Sequence, residues 1–148
     1  MRVWLALFLF AACLLGGPSA QAADPAWNAD EQAVAATDTA FYTASRDQHG
    51  RAWADFADET ATTQVGHGKA AIGAAFEKLY ARAGFTLAWH PIFAKVVGDI
   101  GMTSGPYERH LADAQGRDQR STGTYVTVWQ RQPDGQWRFV WDGGTPDS

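Results

Sequence analysis

Four consecutive residues, Tyr107-Glu108-Arg109-His110, place a phenol, a carboxylate, a guanidinium and an imidazole in one short stretch. In an extended strand successive side chains point to opposite faces, so Tyr107 shares a surface with Arg109, and Glu108 with His110. An inward Tyr107 and Arg109 would supply a hydrogen-bond donor and a fork for an anion. On an edge strand the same charges would serve only to discourage aggregation. Two other groups could move a proton. Asp142 follows Trp141 and precedes Gly143-Gly144, and desolvation beside indole rings pushes a carboxyl toward its neutral form. It also fits a strand-end residue bonding the amides of a turn. His67, between Gly66 and Gly68, has the intrinsic titration range of a general base, and fits an exposed loop equally well.

Other chemistries find no support. His49, His67, His90 and His110 form no i, i+4 pair and no H-E-x-x-H arrangement, so no metal site is expected. Gly66-His67-Gly68-Lys69 is too short for a phosphate loop, and no G-x-S-x-G elbow occurs. No cofactor is implied.

The leading residues set the expected compartment. Met1-Arg2 is a small positive region, Val3–Leu15 is almost wholly apolar, Gly16-Gly17-Pro18 breaks a helix, and Ala20-Gln21-Ala22 forms an A-x-A site. This is the layout of a secretory signal peptide cleaved after Ala22, giving a periplasmic or secreted protein with no stable membrane association after cleavage. An uncleaved anchor is one alternative. A lipoprotein is another, since Phe10-Ala11-Ala12-Cys13 loosely resembles a lipobox, although Cys13 lies early and the A-x-A site follows it. Cleavage would remove Arg2 from the twelve basic residues, leaving eleven against sixteen acidic ones, a net charge of −5. It would also remove the one cysteine, and with it any disulfide or thiol nucleophile. An acidic chain without a basic stripe argues against nucleic-acid binding.

The elements that must position the chemistry follow in order. After a leader at 23–29, residues 30–148 suit one domain. Asn28 or Asp30 can cap a helix reaching about Arg46, with Val34, Thr37, Phe41 and Ala44 at helical spacing and Ala33, Ala36 and Ala40 beside them. Gly50 is placed to end it. Further turns over Arg51–Ala57 carry Trp53 and Phe56 on one face. Glu59–Val65 reads as a weak strand, and a second helix from Lys69 to Gly84 carries Ile72, Phe76 and Leu79. The pattern then changes to period two, with strands predicted over Phe85–Trp89, Ile92–Val97 and Met102–Leu111, the last bent or bulged at Gly105-Pro106. Tyr125–Arg131 and Gln136–Asp142 are rich in β-branched and aromatic residues and flank Gln132-Pro133-Asp134-Gly135, a hairpin signal. Alternation puts Tyr125, Thr127 and Trp129 on one face, and Trp137, Phe139 and Trp141 on one face of the partner strand. Helices first and strands after indicate α+β, with helices packed in a strongly curved antiparallel sheet. Seven tryptophans call for an aromatic core or an aromatic-lined cavity, each ring burying roughly 150–250 Å². Trp53 and Trp89 fit either use.

Five motifs in this order carry a family resemblance: Gly66–Ile72 (G-x-G-K-x-A-I), Trp89–Pro91 (W-x-P), Gly98–Tyr107 (G-D-x-G-x-T-x-G-x-Y), Thr122–Trp137 (T-G-x-Y-x-T-V-W-x-R-Q-x-D-G-x-W) and Asp142–Gly144 (D-x-G, here Asp-Gly-Gly). From about Asp30 to its end the chain resembles the nuclear transport factor 2-like superfamily, and within it the secreted bacterial proteins of the domain of unknown function 4440 class. The resemblance implies a cystatin-like α+β cone, in which a bent sheet wraps a long helix around a deep cavity, and homodimers formed sheet to sheet. The superfamily includes ketosteroid isomerase, polyketide cyclases, dehydratases, epoxide hydrolases and a kinase association domain, so the fold does not decide function. Ketosteroid isomerase chemistry calls for an acid just after the first strand, and Thr62–His67 contains none.

These readings converge on a cavity for a small apolar or aromatic organic ligand, lined by Trp53, Trp89, Arg109, Tyr125, Thr127 and Trp129. Any catalysis would be cofactor-free proton transfer of the isomerase, dehydratase or cyclase type. Asp142 or His67 would be the base, and Tyr107 or Tyr125 the donor to a developing oxyanion. The alternative is a non-catalytic dimeric interaction or scaffold module.

Overall fold

The computed structural model describes residues 26–148. The expected signal peptide at 1–22, Cys13 with it, and the start of the leader lie outside the described residues. Helix α1 (Ala29–Gln48) begins with a capping box: Asn28 accepts from the amides of Asp30 and Glu31, and the Glu31 carboxylate accepts from the Asn28 amide. Its buried stripe is Val34, Asp38, Phe41 and Ser45, spaced i, i+4, i+7 and i+11. The expected stripe through Thr37 and Ala44 is therefore rotated, and Ala33, Ala36 and Ala40 face solvent. Alanines bury little apolar area, whereas this rotation centres Phe41 in the core. The polar groups it carries inward find partners there: Asp38 accepts from Trp89 and Tyr125, and Ser45 donates to the Tyr42 carbonyl.

His49, with φ of 49°, makes the turn expected of Gly50, and Gly50 instead opens α2 (Gly50–Phe56). Its lack of a side chain serves packing. A Cβ there would lie 2.2 Å from the Gly73 carbonyl oxygen on α3 (Lys69–Tyr80), so the two helices cross at backbone contact.

Strands β1 (Ala57–Thr63), β2 (Gly66–His67), β3 (Thr86–Trp89), β4 (Phe93–Val97), β5 (Ile100–Ala112), β6 (Asp118–Arg131) and β7 (Trp137–Pro146) form one sheet in the order β2-β1-β7-β6-β5-β3, with β4 also on β5. Pairing is antiparallel except between β1 and β7, which run parallel. The sheet wraps α1, and together they make the α+β cone. Strand β5 stays in unbroken register with β6 through Gly105 and Pro106, so the bend predicted there falls on its other neighbour. β4 pairs with the first part of β5, β3 with the later part, and the His90–Ile92 connection between them presses on Gly105. A Cβ on Gly105 would lie 2.0 Å from the His90 carbonyl oxygen.

The core is aromatic. Phe41 lies with ring centroids 4.8 Å from Trp53, 5.2 Å from Trp89, 6.2 Å from Trp129 and 5.5 Å from Phe139. Burying each such ring contributes about 1.5–3 kcal/mol.

In the β6–β7 hairpin, Val128 and Trp129 are adjacent, while their partners Trp141 and Phe139 are two residues apart. Val140 is thus an extra residue, a β-bulge that reverses side-chain parity along β7. Trp137 and Phe139 point into the core, Trp141 is 42 % exposed on the outer face, and Asp142 turns inward beside Thr127. The expectation that Trp137, Phe139 and Trp141 share a face holds only as far as the bulge.

Candidate functional site

Between the sheet and α2–α3 the cone leaves a cavity of about 170 Å³. Trp53 of α2, Phe76 of α3, Trp89 of β3 and Tyr125 of β6, all buried, form its inner wall. Exposed Gln64, Val65, Arg82 and Arg109 ring its mouth. Tyr107, Leu87 and Asp142 lie between these two zones and are half-buried.

Two carboxyl groups sit beneath this part of the sheet. Asp38 is fully buried, with one oxygen accepting from Trp89 Nε1 at 2.8 Å and the other from Tyr125 Oη at 2.7 Å. Burial raises its pKa, and hydrogen bonds from Thr103, Trp89 and Tyr125 pull it back down. Asp142 receives one hydrogen bond, from Thr127 Oγ1 at 2.6 Å, and otherwise faces the cavity. Desolvation pushes its carboxyl up to about 7, with the Asp38 charge adding in the same direction and the Thr127 hydroxyl opposing. A carboxyl in that range exchanges a proton readily near neutral pH.

Tyr125 is committed between these acids. Its hydroxyl donates to Asp38, and burial, followed by the charge of Asp38, raises its pKa. A phenol whose single proton is held by a buried carboxylate has none to give a substrate, which corrects the expectation that Tyr125 serves as an oxyanion donor. Tyr107 differs. It lines the cavity, its ring edge packs against Gly123 and Gly144, and its hydroxyl has no hydrogen-bond partner among the described residues. It keeps a free donor.

The remaining predicted residues divide. Trp53, Trp89 and Arg109 line the cavity, while Glu108 and His110 face away from it and join Arg120 and Asp118 in a surface network. Thr127 is buried behind Asp142 and steadies it. Trp129 is a core residue rather than a ligand contact: it is fully buried, its Nε1 donates to Thr103 Oγ1 at 2.8 Å, and its ring packs against Phe41 and Phe139. His67 is not at the cavity. β2 folds back on β1 with His67 opposite Thr62, so the ring lies on the face turned away from Thr63, exposed, with its Nδ1 2.9 Å from Thr62 Oγ1. Parity along a two-residue edge strand removes it from the chemistry. No three His, Cys, Asp or Glu side chains are grouped to hold a metal ion among the described residues.

Sequence reasoning missed Asp38 and Arg82. Asp38 had a legible signal, an acid spaced four after Val34 and three before Phe41, which puts a charge on the buried stripe of a helix. Arg82 lies in the turn after α3, where no periodicity points to a face.

No protein-family model matches the chain, and no curated protein does. Solved structures do. A ketosteroid isomerase-like protein from Erwinia carotovora superposes with a TM-score of 0.70 at 14 % identity, covering 82 % of this chain and 99 % of that one. A nuclear transport factor 2-like superfamily protein from Salmonella enterica gives 0.64 at 15 % identity over 80 % and 91 %. A domain of unknown function with a cystatin-like fold, from Nostoc punctiforme, gives 0.63 at 20 % identity over 82 % and 80 %. At such identities the likeness concerns the fold, and the fold of this chain is the nuclear transport factor 2-like cone.

Proposed function

We propose that this nuclear transport factor 2-like cone binds a small, partly apolar organic molecule and moves a proton on it through Asp142. One observation carries the reading: an aromatic-walled cavity holds a single accessible carboxyl with one protein partner and a pKa near 7. Above that pH the carboxylate can accept a proton from a carbon acid, and below it the acid can return one. Tyr107, on the same cavity, would donate its free hydroxyl to the oxygen on which charge develops. Isomerisation, dehydration or cyclisation of a carbonyl compound would fit, and none needs a cofactor.

A thermal-shift screen of small apolar ketones and acids on the wild type and Asp142→Asn tests binding. Solvent deuterium exchange at the carbon-bound hydrogens of each hit tests chemistry. Hits should raise the melting temperature of both proteins, and exchange should occur only with the wild type, rising with pH to a plateau above about pH 7, in keeping with the raised Asp142 pKa. A wild type that no compound stabilises would refute the reading.

The second reading, a dimeric scaffold, draws support from the outer sheet face. Phe93, Met102 and Trp141 are exposed there at 44 %, 37 % and 42 %, with Val128 between Met102 and Trp141 in the pairing. A homodimer through this face is compatible with ligand binding on the concave side. Sedimentation of wild type against Trp141→Glu would reveal it. The leading segment supports a periplasmic or secreted location, and the narrower kinship with the domain of unknown function 4440 class rests on the motifs.

A further inference from the structure

Arginines in this chain are paired almost throughout. Arg51 bonds Asp55, Arg117 bonds Asp113, Arg120 bonds Glu108, Arg131 bonds Asp30 and Asp99, and Arg138 bonds Asp134. Arg46 sits over the Tyr42 ring. Among the described residues two arginines have neither an ion pair nor an aromatic face, and both line the cavity: Arg82 and Arg109. They come from separate elements. Arg109 is on β5 opposite Leu87 of β3, and Arg82 is in the turn after α3. That turn is fastened to the end of β5 by the Ala112 amide donating to the Ala83 carbonyl at 3.0 Å. Gly84, with φ of 68° and a Cβ position 3.3 Å from the Ala112 nitrogen, lets the two segments touch. The guanidinium groups are thus carried to the mouth by segments tied to each other.

Charge along the cavity is ordered from mouth to interior. The cations stand at the exposed mouth. Asp142, half-buried, lies between the mouth and the inner wall, and Asp38 is sealed behind that wall, bonded to Trp89 and Tyr125. An anion entering head first would meet the Asp142 carboxyl and an apolar wall, whereas one stopping at the mouth would meet two unpaired guanidinium groups, which suit carboxylate geometry. In a protein with more acidic than basic residues, such a local positive site also draws anions against the overall field.

We propose that the ligand is an amphipathic organic monoanion, an aryl- or alkyl-carboxylic acid, held with its carboxylate on Arg82 and Arg109 and its apolar body directed inward toward Asp142. The proposal rests on the pocket reading and narrows it to a substrate class and an orientation. It follows that the reacting carbon is not the one next to the carboxylate, since the head group stays at the mouth while Asp142 lies farther in.

Titration calorimetry with matched pairs separates this proposal from the reading beneath it. The probes are phenylacetate against phenylacetamide, 4-phenylbutyrate against its amide, and octanoate against octanamide, with wild type, Arg82→Gln, Arg109→Gln and the double variant. Each acid should bind the wild type about tenfold more tightly than its amide, as charge-assisted pairing to arginine implies. The advantage should shrink in each single variant, vanish in the double variant, and fall as salt rises from 50 mM to 500 mM, roughly as exposed charges are screened. Both arginines are exposed, so the variants should fold, and unchanged melting temperatures would verify this. Acids and amides binding the wild type equally would overturn the anion class while leaving the pocket intact. No binding by either set would overturn the pocket and this inference together. An acid preference that survives in the double variant would place the anion site elsewhere and refute the assignment to Arg82 and Arg109.

Discussion

Two carboxyl groups under the same curved sheet meet opposite fates. Asp38, sealed behind the inner wall, has donors for both oxygens in Trp89 and Tyr125 and no contact with solvent. Asp142, a short way along the sheet, has one donor and an open side. Burial raises the pKa of each, but a fully bonded carboxyl is part of the packing, whereas an under-bonded one beside a cavity is available to a ligand. The contrast comes from strand geometry. Asp38 is on a helix that the sheet encloses, and Asp142 follows a bulge that turns it to the cavity edge.

The largest way to break this contrast is Asp38→Ala. It leaves the indole N–H of Trp89 and the hydroxyl of Tyr125 buried without acceptors, at about 1–3 kcal/mol each. Urea denaturation should show a loss of about 4 kcal/mol. A loss below about 1 kcal/mol would mean that Asp38 is no more structural than Asp142.

Asp142→Asn should act in the other direction, and only at higher pH. The Asp142 carboxyl titrates near 7 in the folded protein against an ordinary 3.8, so the unfolded chain loses its proton first. The stability associated with the protonated form is complete below about pH 4 and is lost as pH rises toward 7. The asparagine variant, which cannot ionise, should therefore be more stable than wild type by roughly 2 kcal/mol at pH 8.5, with the gap closing toward pH 4. Melting curves across that range check it, and a gap independent of pH would show that Asp142 is not desolvated.

Thr127→Val sharpens the comparison with the smallest effect. It takes away the one hydroxyl that favours the Asp142 carboxylate, so the carboxyl should titrate higher still, by roughly half a unit to one unit. The stability cost should be about 1 kcal/mol. Carbon-13 NMR titration of the side-chain carboxyl reads the shift, and a downward movement would contradict the hydrogen bond as the steadying contact.

Much of the framework was legible. The Asn28 cap, the change from helical to alternating spacing after Gly84, and the Gln132–Gly135 turn are local features, set by residues within a few positions of one another. Tyr107 and Arg109 were legible as partners on one face because β5 carries no bulge to disturb its alternation. Asp142 was legible as a residue but not in its orientation, since strict alternation along β7 would have sent it to the face opposite Phe139. The stripe of α1 was misread because alanines mark either face of a helix equally well.

By itself, then, the sequence determined most of the elements and their order, though not the two-residue β2 or the helix ends at His49 and Tyr80, because caps, periodicity and turn residues act over short range. Only the tertiary structure decided which carboxyl is satisfied and which is open. That outcome depends on the extra residue at Val140, on the parity that leaves His67 outside, and on partners such as Asp38 and Tyr125 that lie far apart along the chain. Long-range pairing sets such relations, and no local pattern encodes them.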